Sequence, residues 1–166
     1  MSNIDHHKAL LETGFWGKRG AGGIVMARST RRWLLQQRGP TVEQPGTWGV
    51  WGGAIDDGEE ALPAFTRELR EESGFTGRVI SVPALLFKKG SFSYQNFLGV
   101  VEEEFKPVLS WETKAFGWFP YGEWPEPLHF GLKALLDDKA SATKMRALSY
   151  PGMFRVLAGL QRCLRL

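Results

Sequence analysis

Apolar residues in the first 120 positions fall into short runs that glycine, proline and polar residues separate, a pattern typical of β-strands. The runs predict strands over residues 20–28, 33–38, 79–88, 91–101 and 116–119. The short polar segment between the first two runs predicts a hairpin. The first run is rich in glycine but lacks the spacing of a phosphate-binding loop, so we expect a buried strand whose neighbours approach closely.

Helical periodicity appears in three other segments. A helix is predicted to begin near Glu60 and to end before Gly74, where glycine suits a left-handed cap, with Pro63 tolerated in the first turn. Residues 129–138 place apolar side chains at helical spacing, which predicts a helix packed on the sheet. From Met145 onward we expect a second, basic, amphipathic helix that covers the sheet or joins a dimer interface.

Length and composition change this picture little. A chain of 166 residues with ordinary composition suits one domain spanning residues 1–166, as a monomer or a homodimer. The single cysteine, Cys163, excludes an internal disulfide and fits a reducing compartment. No apolar run approaches the ~20 residues that a membrane span needs, and the N-terminus lacks the apolar core of a signal peptide. We therefore expect a soluble cytoplasmic protein with no membrane partner.

The candidate chemistry lies in the sequence RELREE, residues 67–72. It places Glu68, Glu71 and Glu72 at helical positions i, i+3 and i+4, so the three carboxylates share one face within one turn. Like charges this close repel each other, and a divalent cation relieves the repulsion because hard ions such as Mg²⁺ prefer oxygen ligands. The alternative interpretation is a solvated acidic helix face.

A longer pattern surrounds these acids. Gly53 precedes Glu59 by a gap of five residues, and Glu59 precedes Arg67 by a gap of seven. Residues 53–75 follow the pattern G-x5-E-x7-R-E-U-x-E-E-x-G-U, in which U is a bulky apolar residue. At every defined position this stretch resembles the Nudix box of the MutT-like Nudix hydrolases.

The resemblance implies a fold and a reaction. The fold is an α/β class structure, a Nudix-type α/β/α sandwich with a mixed β-sheet, here with a C-terminal helical extension. The reaction is hydrolysis of the pyrophosphate bond in a nucleoside diphosphate linked to another moiety, such as a nucleoside triphosphate, a nucleotide sugar or a dinucleoside polyphosphate. The resemblance also implies a Mg²⁺ or Mn²⁺ cofactor with Glu68, Glu71 and Glu72 as its ligands.

Three further residues take catalytic roles by the same resemblance. Glu59 is implied as a supporting ligand or as a base that acts through water. Arg67 is implied to orient the neighbouring carboxylate. Glu112 lies six residues ahead of Trp118, where family members often supply an additional glutamate for metal binding or water activation.

Substrate contacts are expected from residues Trp48, Trp51, Gly52, Gly53 and Tyr94. The two glycines let the backbone pass close to a ligand. The indoles could stack on a base, and Tyr94 lies near the position of a tyrosine found in dinucleoside polyphosphate hydrolases of the family. Packing in the core is the alternative for these aromatic side chains.

A second class of function is a catalytically silent module that keeps the fold and binds nucleotide or RNA. The basic C-terminal tail and the aromatic residues suit such a module. The complete set of glutamates favours the enzyme, because a binding module has no need of them. We therefore expect a small nucleotide as the partner and regard nucleic acid as unlikely.

Overall fold

One mixed sheet of seven strands dominates the computed structural model, which describes residues 18–150. The strands are β1 (Arg19–Ala27), β2 (Trp33–Arg38), β3 (Trp48–Gly49), β4 (Trp51–Ala54), β5 (Ile80–Lys89), β6 (Phe92–Val101) and β7 (Thr113–Phe119). Five of them coincide, apart from small differences at their ends, with the strands that the apolar runs predict. The two short strands β3 and β4 are not among the apolar runs, because the glycine-rich segment around them has no clear alternation.

The acidic stretch forms the helix α1 (Ala61–Ser73), which begins directly after Glu60 as predicted. Gly74 ends the helix in the left-handed conformation with a φ of 68°, and its N–H donates to the Arg70 carbonyl at 2.8 Å. Glycine favours this conformation because it has no Cβ to collide with the backbone. The predicted helix cap is therefore confirmed.

Two helices follow the sheet, α2 (Phe130–Asp137) and α3 (Lys139–Ser149). The second begins at Lys139, earlier than the predicted start at Met145, because the Asp138 carboxylate accepts a hydrogen bond from the Ser141 N–H at 2.8 Å and caps it. The remainder of the predicted tail helix lies outside the described residues. Within residues 18–150, no helix is both long and apolar enough to cross a membrane.

Strand β1 is the centre of the sheet. One of its edges pairs with the parallel strand β6 along its whole length, and β5 pairs with β6 on the far side. The other edge is shared, because β4 pairs with residues 20–23 and β2 pairs with Val25 and Met26. Strands β3 and β7 both pair with β2. The segment from β3 to β4 thus bridges β2 and β1, and it carries Gly52 and Gly53 into the middle of the sheet.

Both faces of the sheet are covered, as an α/β/α sandwich requires. Alternate side chains of β1 and β2 point to opposite faces, so Val25 and Leu34 pack against α1 while Ile24 and Leu35 pack against α2 and α3. The core under α1 includes Trp51, Ile55, Ala64, Phe65, Leu69 and Phe97. The core under the other two helices includes Met26, Trp33, Leu98, Leu132, Leu135 and Met145. The predicted fold class is confirmed.

Gly23 allows the close parallel pairing of β1 with β6, and we expect its replacement by alanine to destabilise the fold. A Cβ on Gly23 would lie 2.3 Å from the Phe97 carbonyl oxygen, a backbone atom that cannot move without disturbing the ladder. The Gly23→Ala substitution should lower the free energy of unfolding by about 1–3 kcal/mol. Urea denaturation followed by tryptophan fluorescence measures this change.

The matched control is Gly49→Ala, also at a buried strand glycine. A Cβ there would meet its nearest atom at 3.6 Å, an ordinary contact, so the free energy of unfolding should stay unchanged or rise by less than about 1 kcal/mol. Equal effects of the two substitutions would contradict the close approach at Gly23.

Candidate active site

A cavity of about 640 Å³ lies against Gly52 and Gly53 of β4. Its walls come from β1, β2, β5, β6, the loop that precedes β7 and the beginning of α2. Pockets for small-molecule ligands in proteins commonly have volumes of roughly 300–1,000 Å³. The acidic residues of α1 adjoin this cavity from behind the two glycines.

Arg67 is the ionic centre of the acidic stretch. Its Nε and Nη2 atoms donate to the two carboxylate oxygens of Glu59 at 3.1 and 2.9 Å. Its Nη1 atom donates to Glu68 at 2.8 Å and to Glu71 at 3.2 Å, and Nη2 also donates to the Ala54 carbonyl at 2.9 Å. The guanidinium holds the pKa of Glu59 below its ordinary value, so Glu59 is an ionised partner of Arg67.

Glu68 occupies the space that the missing side chain of Gly53 leaves open. A Cβ on Gly53 would lie 2.8 Å from the carboxylate atoms of Glu68, so glycine is required for this contact. Burial raises the pKa of Glu68, hydrogen bonding to Arg67 opposes that rise, and the charges of Glu71 and Glu112 add to it. Glycine at position 53 thus lets the backbone of β4 approach the Glu68 carboxylate closely.

Glu72 lies deeper, with 8% of its surface exposed. Its Oε2 atom accepts hydrogen bonds from the Gly52 N–H at 3.0 Å and from Gln36 Nε2 at 3.2 Å. Burial raises the pKa of Glu72 to about 8, and the charges of Glu68 and Glu112 contribute to the rise. Within residues 18–150, no lysine, arginine or histidine forms an ion pair with this carboxylate.

Glu112 reaches the cavity from the loop before β7 and lines its wall. Burial is the main cause of the raised pKa of both Glu68 and Glu72, and the negative charge of Glu112 adds to the rise in each. The Gly39 N–H donates to the Glu112 carbonyl at 2.7 Å and anchors the loop at the end of β2. The structure thus brings together the helix acids and the loop acid that the sequence placed far apart.

Two other predicted catalytic residues, Glu59 and Glu71, adjoin this group through Arg67. Glu71 is on the outer side of α1 with 59% of its side chain exposed, and Glu59 is engaged by Arg67. Arg67 Nη1 bridges Glu68 and Glu71, so the three helix carboxylates stay within one turn of α1, with Glu71 the most exposed of them. In the described part of the chain, no group of three or more histidine, cysteine, aspartate or glutamate side chains is already arranged around a metal position.

Tyr94 lies across the glycines of β1 with its ring in the cavity wall. A Cβ on Gly20 would be 2.6 Å from the ring, and a Cβ on Gly22 would be 2.0 Å from the hydroxyl oxygen. The glycine-rich start of β1 therefore makes room for this side chain. Burial raises the pKa of Tyr94, and the charges of Glu72 and Glu68 raise it further, so the phenol stays protonated beside the acids.

The predicted roles of Trp48 and Trp51 in base stacking require a correction. Trp51 is fully buried in the core under α1, and Trp48 packs edge-on against Phe119 with 5.3 Å between ring centroids. Neither indole lines the cavity, because alternation along these short strands turns both toward the cores. The aromatic side chains of the cavity are Phe87, Phe92, Tyr94, Trp111 and Phe130.

Two cavity residues escaped the sequence analysis. Arg38 lines the cavity and donates from Nε to the Glu43 carbonyl at 2.5 Å. His129 caps α2, where its Nδ1 accepts a hydrogen bond from the Gly131 N–H at 3.2 Å. Burial and the nearby Arg38 lower the pKa of His129 to about 4, so the ring is neutral at pH 7 with its proton on Nε2. The available signal was His129 itself, a polar residue at the start of the predicted helix over residues 129–138, where a helix favours a capping side chain.

Gln36 is the third residue that the sequence analysis missed. It is 3% exposed and contacts Glu72 from the middle of β2. The available signal was that residue 36 is polar, although alternation along the strand 33–38 places it on the same buried face as Leu34, toward α1.

A family model described as NUDIX domain matches residues 17–138 of the chain. A relative named putative 8-oxo-dGTP diphosphatase 3, from Mycobacterium tuberculosis, is 29% identical over 132 residues, or 72% of this chain and 61% of the relative. A nucleoside triphosphate pyrophosphatase/Nudix hydrolase fusion protein from Bifidobacterium longum is 37% identical over 73 residues, which are 40% of this chain and 15% of that protein. The chain thus spans less than two thirds of either relative.

Among solved structures, the Nudix hydrolase RenU from M. smegmatis is similar in fold, with a TM-score of 0.62 and 24% identity. The similarity covers 81% of this chain and 88% of that one. The sandwich architecture agrees with this likeness, and the acidic pattern of α1 agrees with the family match. From the family model and the fold together, we conclude that this chain belongs to the Nudix family.

Proposed function

We propose that this protein hydrolyses the pyrophosphate bond of a nucleoside diphosphate derivative with the help of Mg²⁺ or Mn²⁺. One observation carries the proposal. The negative charge of Glu112, in the loop before β7, adds to the raised pKa of Glu68 and Glu72 in α1, and the three carboxylates lie beside a cavity large enough for a nucleotide. The family and the names of the relatives support a hydrolase. A cytoplasmic location, a single domain over residues 1–166 and a monomeric or homodimeric state stay predictions.

The donor set fits a hard divalent cation. Arg67 pairs with Glu59, Glu68 and Glu71 at the same time and offsets only part of their charge, and within residues 18–150 neither Glu72 nor Glu112 forms an ion pair. Carboxylate oxygens are the ligands that Mg²⁺ and Mn²⁺ take in proteins. Glu68 and Glu72 would hold the ion, and Glu71 would join them by rotating its exposed side chain. When bound, the ion neutralises phosphate charge and acidifies a water molecule for attack on phosphorus.

The residues of the chain have separable tasks in this reaction. Arg67 holds Glu68 in place, because its guanidinium is itself fixed by Glu59 and by the Ala54 carbonyl. Glu112, which lines the cavity, suits the role of the base that accepts a proton from the attacking water. Arg38 lines the cavity and can pair with a phosphate that its guanidinium reaches.

The aromatic part of the cavity suits a nucleobase. Phe87, Phe92 and Phe130 form one wall, with ring centroids of Phe87 and Phe130 separated by 6.0 Å. Trp111 stands at the rim with 71% of its surface exposed, next to the candidate base Glu112. An exposed indole at a cavity rim is available for stacking on a planar ligand.

The substrate is proposed as a class only. The moiety beyond the diphosphate can be a third phosphate group, a sugar or a second nucleotide, and the mycobacterial relative is named for 8-oxo-dGTP. Purified protein should be incubated with Mg²⁺ or Mn²⁺ and with nucleoside triphosphates, oxidised triphosphates, nucleotide sugars and dinucleoside polyphosphates. Metal-dependent release of phosphate or pyrophosphate from one class, detected through a coupling phosphatase where the products are phosphate monoesters, supports the proposal. Folded protein that binds nucleotide without turnover would favour the silent binding module.

Glu72→Gln should lower kcat at least about a hundredfold, because it removes the charge of a metal ligand at a positioned site. The substitution should leave the free energy of unfolding unchanged or higher, because it replaces a buried carboxylate with a neutral group that keeps an oxygen acceptor for the Gly52 N–H. Steady-state kinetics and urea denaturation measure the two effects. The control is Glu103→Gln, which removes an exposed acid and should change neither. Normal turnover by Glu72→Gln would contradict the metal assignment.

Trp111→Ala should raise KM about tenfold and change kcat less than about threefold. Base stacking on an aromatic side chain contributes roughly 1–3 kcal/mol, and the indole is too exposed to support the core. Trp111→Phe should retain most of the affinity. Steady-state kinetics with the preferred substrate measures both variants, and an unchanged KM for Trp111→Ala would rule out stacking at the rim.

A further inference from the structure

Gln36 is a buried amide whose hydrogen bonds join three parts of the site. Its Nε2 donates to the Val50 carbonyl at 2.9 Å and to Glu72 Oε2 at 3.2 Å. Its Oε1 accepts a short hydrogen bond from the Thr113 hydroxyl. Gln36 is 3% exposed and Thr113 is 6% exposed, so water does not compete for these bonds.

The orientation of this amide is determined by its neighbours. Two acceptors, the Val50 carbonyl and the Glu72 carboxylate, face one end, and one donor, the Thr113 hydroxyl, faces the other. A reversed amide would bring its oxygen against two oxygens and leave both of them without a donor. Buried polar groups without partners are strongly unfavourable, so this single orientation is selected.

The network links elements that carry the proposed catalytic acids. Glu72 belongs to α1, whereas Thr113 begins β7 and directly follows Glu112. The same strand β2 also leads to Gly39, whose N–H binds the Glu112 carbonyl at 2.7 Å. Glu72 is therefore anchored to β2 by the Gln36 amide. Glu112 is anchored to the same strand through its neighbour Thr113, which binds that amide.

We propose that Gln36 is a positioning residue that sets the placement of Glu72 relative to Glu112. This proposal rests on the proposed function, because it assigns Gln36 a task in that same site. The amide acts on Glu72 Oε2, which also binds Gly52, whereas Oε1 accepts no hydrogen bond from any donor in residues 18–150. The carboxylate is thus held by one oxygen and offers the other to a cation.

A neutral amide is suited to this position. A carboxylate at residue 36 would add a further negative charge beside Glu72, and an arginine or lysine would neutralise the charge that a cation requires. An apolar side chain would remove the hydrogen-bond partner of the Val50 carbonyl, of the Thr113 hydroxyl and of one acceptor site on the Glu72 carboxylate. Glutamine supplies two donors and an acceptor without altering the charge.

The test uses the full chain and two measurements, steady-state kinetics and the affinity of the nucleotide-free protein for Mn²⁺ by calorimetry. Gln36→Met keeps the length of the side chain and removes its hydrogen bonds. It should lower kcat at least about tenfold, leave KM within about twofold because the aromatic wall is intact, and weaken Mn²⁺ binding about tenfold. The control is Gln37→Met on the opposite face of β2, where Gln37 donates to the Gly46 carbonyl at 3.0 Å, and it should resemble wild type.

A second pair of variants tests the far end of the network even if Gln36→Met does not fold. Thr113→Val removes only the hydroxyl and should lower kcat about threefold to tenfold, whereas Thr113→Ser retains the hydroxyl and should restore wild-type turnover. The double variant Gln36→Met/Thr113→Val should be no slower than Gln36→Met alone, because both changes break the same link.

Three results would overturn the positioning role: wild-type kcat and Mn²⁺ affinity in Gln36→Met, equal losses in Thr113→Val and Thr113→Ser, or losses that multiply in the double variant. Failure of the proposed function has a different signature. If wild-type protein binds Mn²⁺ but hydrolyses no substrate, the hydrolase is wrong, and the Mn²⁺ affinities of the four variants still decide whether Gln36 positions Glu72. If wild-type protein binds no Mn²⁺ and has no turnover, both proposals fail.

Discussion

The repulsion among buried carboxylates is the constraint on which the candidate site depends. Glu68 and Glu72 lie within one turn of α1, and Glu112 adds a third charge from another element. Arg67 offsets part of this charge but is shared with Glu59. In the metal-free protein, burial raises the pKa of Glu72 to about 8, so this group binds a proton more readily than an exposed glutamate does. A divalent cation would replace that proton, and we infer that the fold maintains the crowding for this purpose.

The remaining structure accommodates the crowding by bringing backbone close to the acids. Gly53 leaves room for the Glu68 carboxylate, and the N–H of Gly52 binds Glu72. The glycines of β1 in turn make room for Tyr94, which closes the same region from the other side. Two complete hydrophobic cores, one on each face of the sheet, hold these backbone segments in position. The glycine-rich segments are therefore part of the site, although glycine has no functional group in its side chain.

Much of this arrangement was predictable from the sequence because it is local. Helical spacing placed the acids of α1, glycine marked its end at Gly74, and apolar runs located five strands. The roles of Trp48 and Trp51 were not predictable from the sequence, because an indole can pack in a core or line a cavity. Only the tertiary packing decides, and here both indoles pack in the cores. Gln36 acts through contacts between distant elements, which no local pattern encodes. The proximity of Glu112 was anticipated only through the family resemblance.

The central claim is that the acids of α1 and of the β7 loop form one cation site beside the cavity. Anomalous diffraction from crystals soaked with Mn²⁺ at its absorption edge tests it most directly, because the anomalous peak locates the ion without assumptions about activity. We predict a peak bonded to carboxylate oxygens of Glu68 and Glu72, on the side that faces Glu112. A peak only at exposed acids elsewhere, or no peak at saturating Mn²⁺ and nucleotide, would contradict the account.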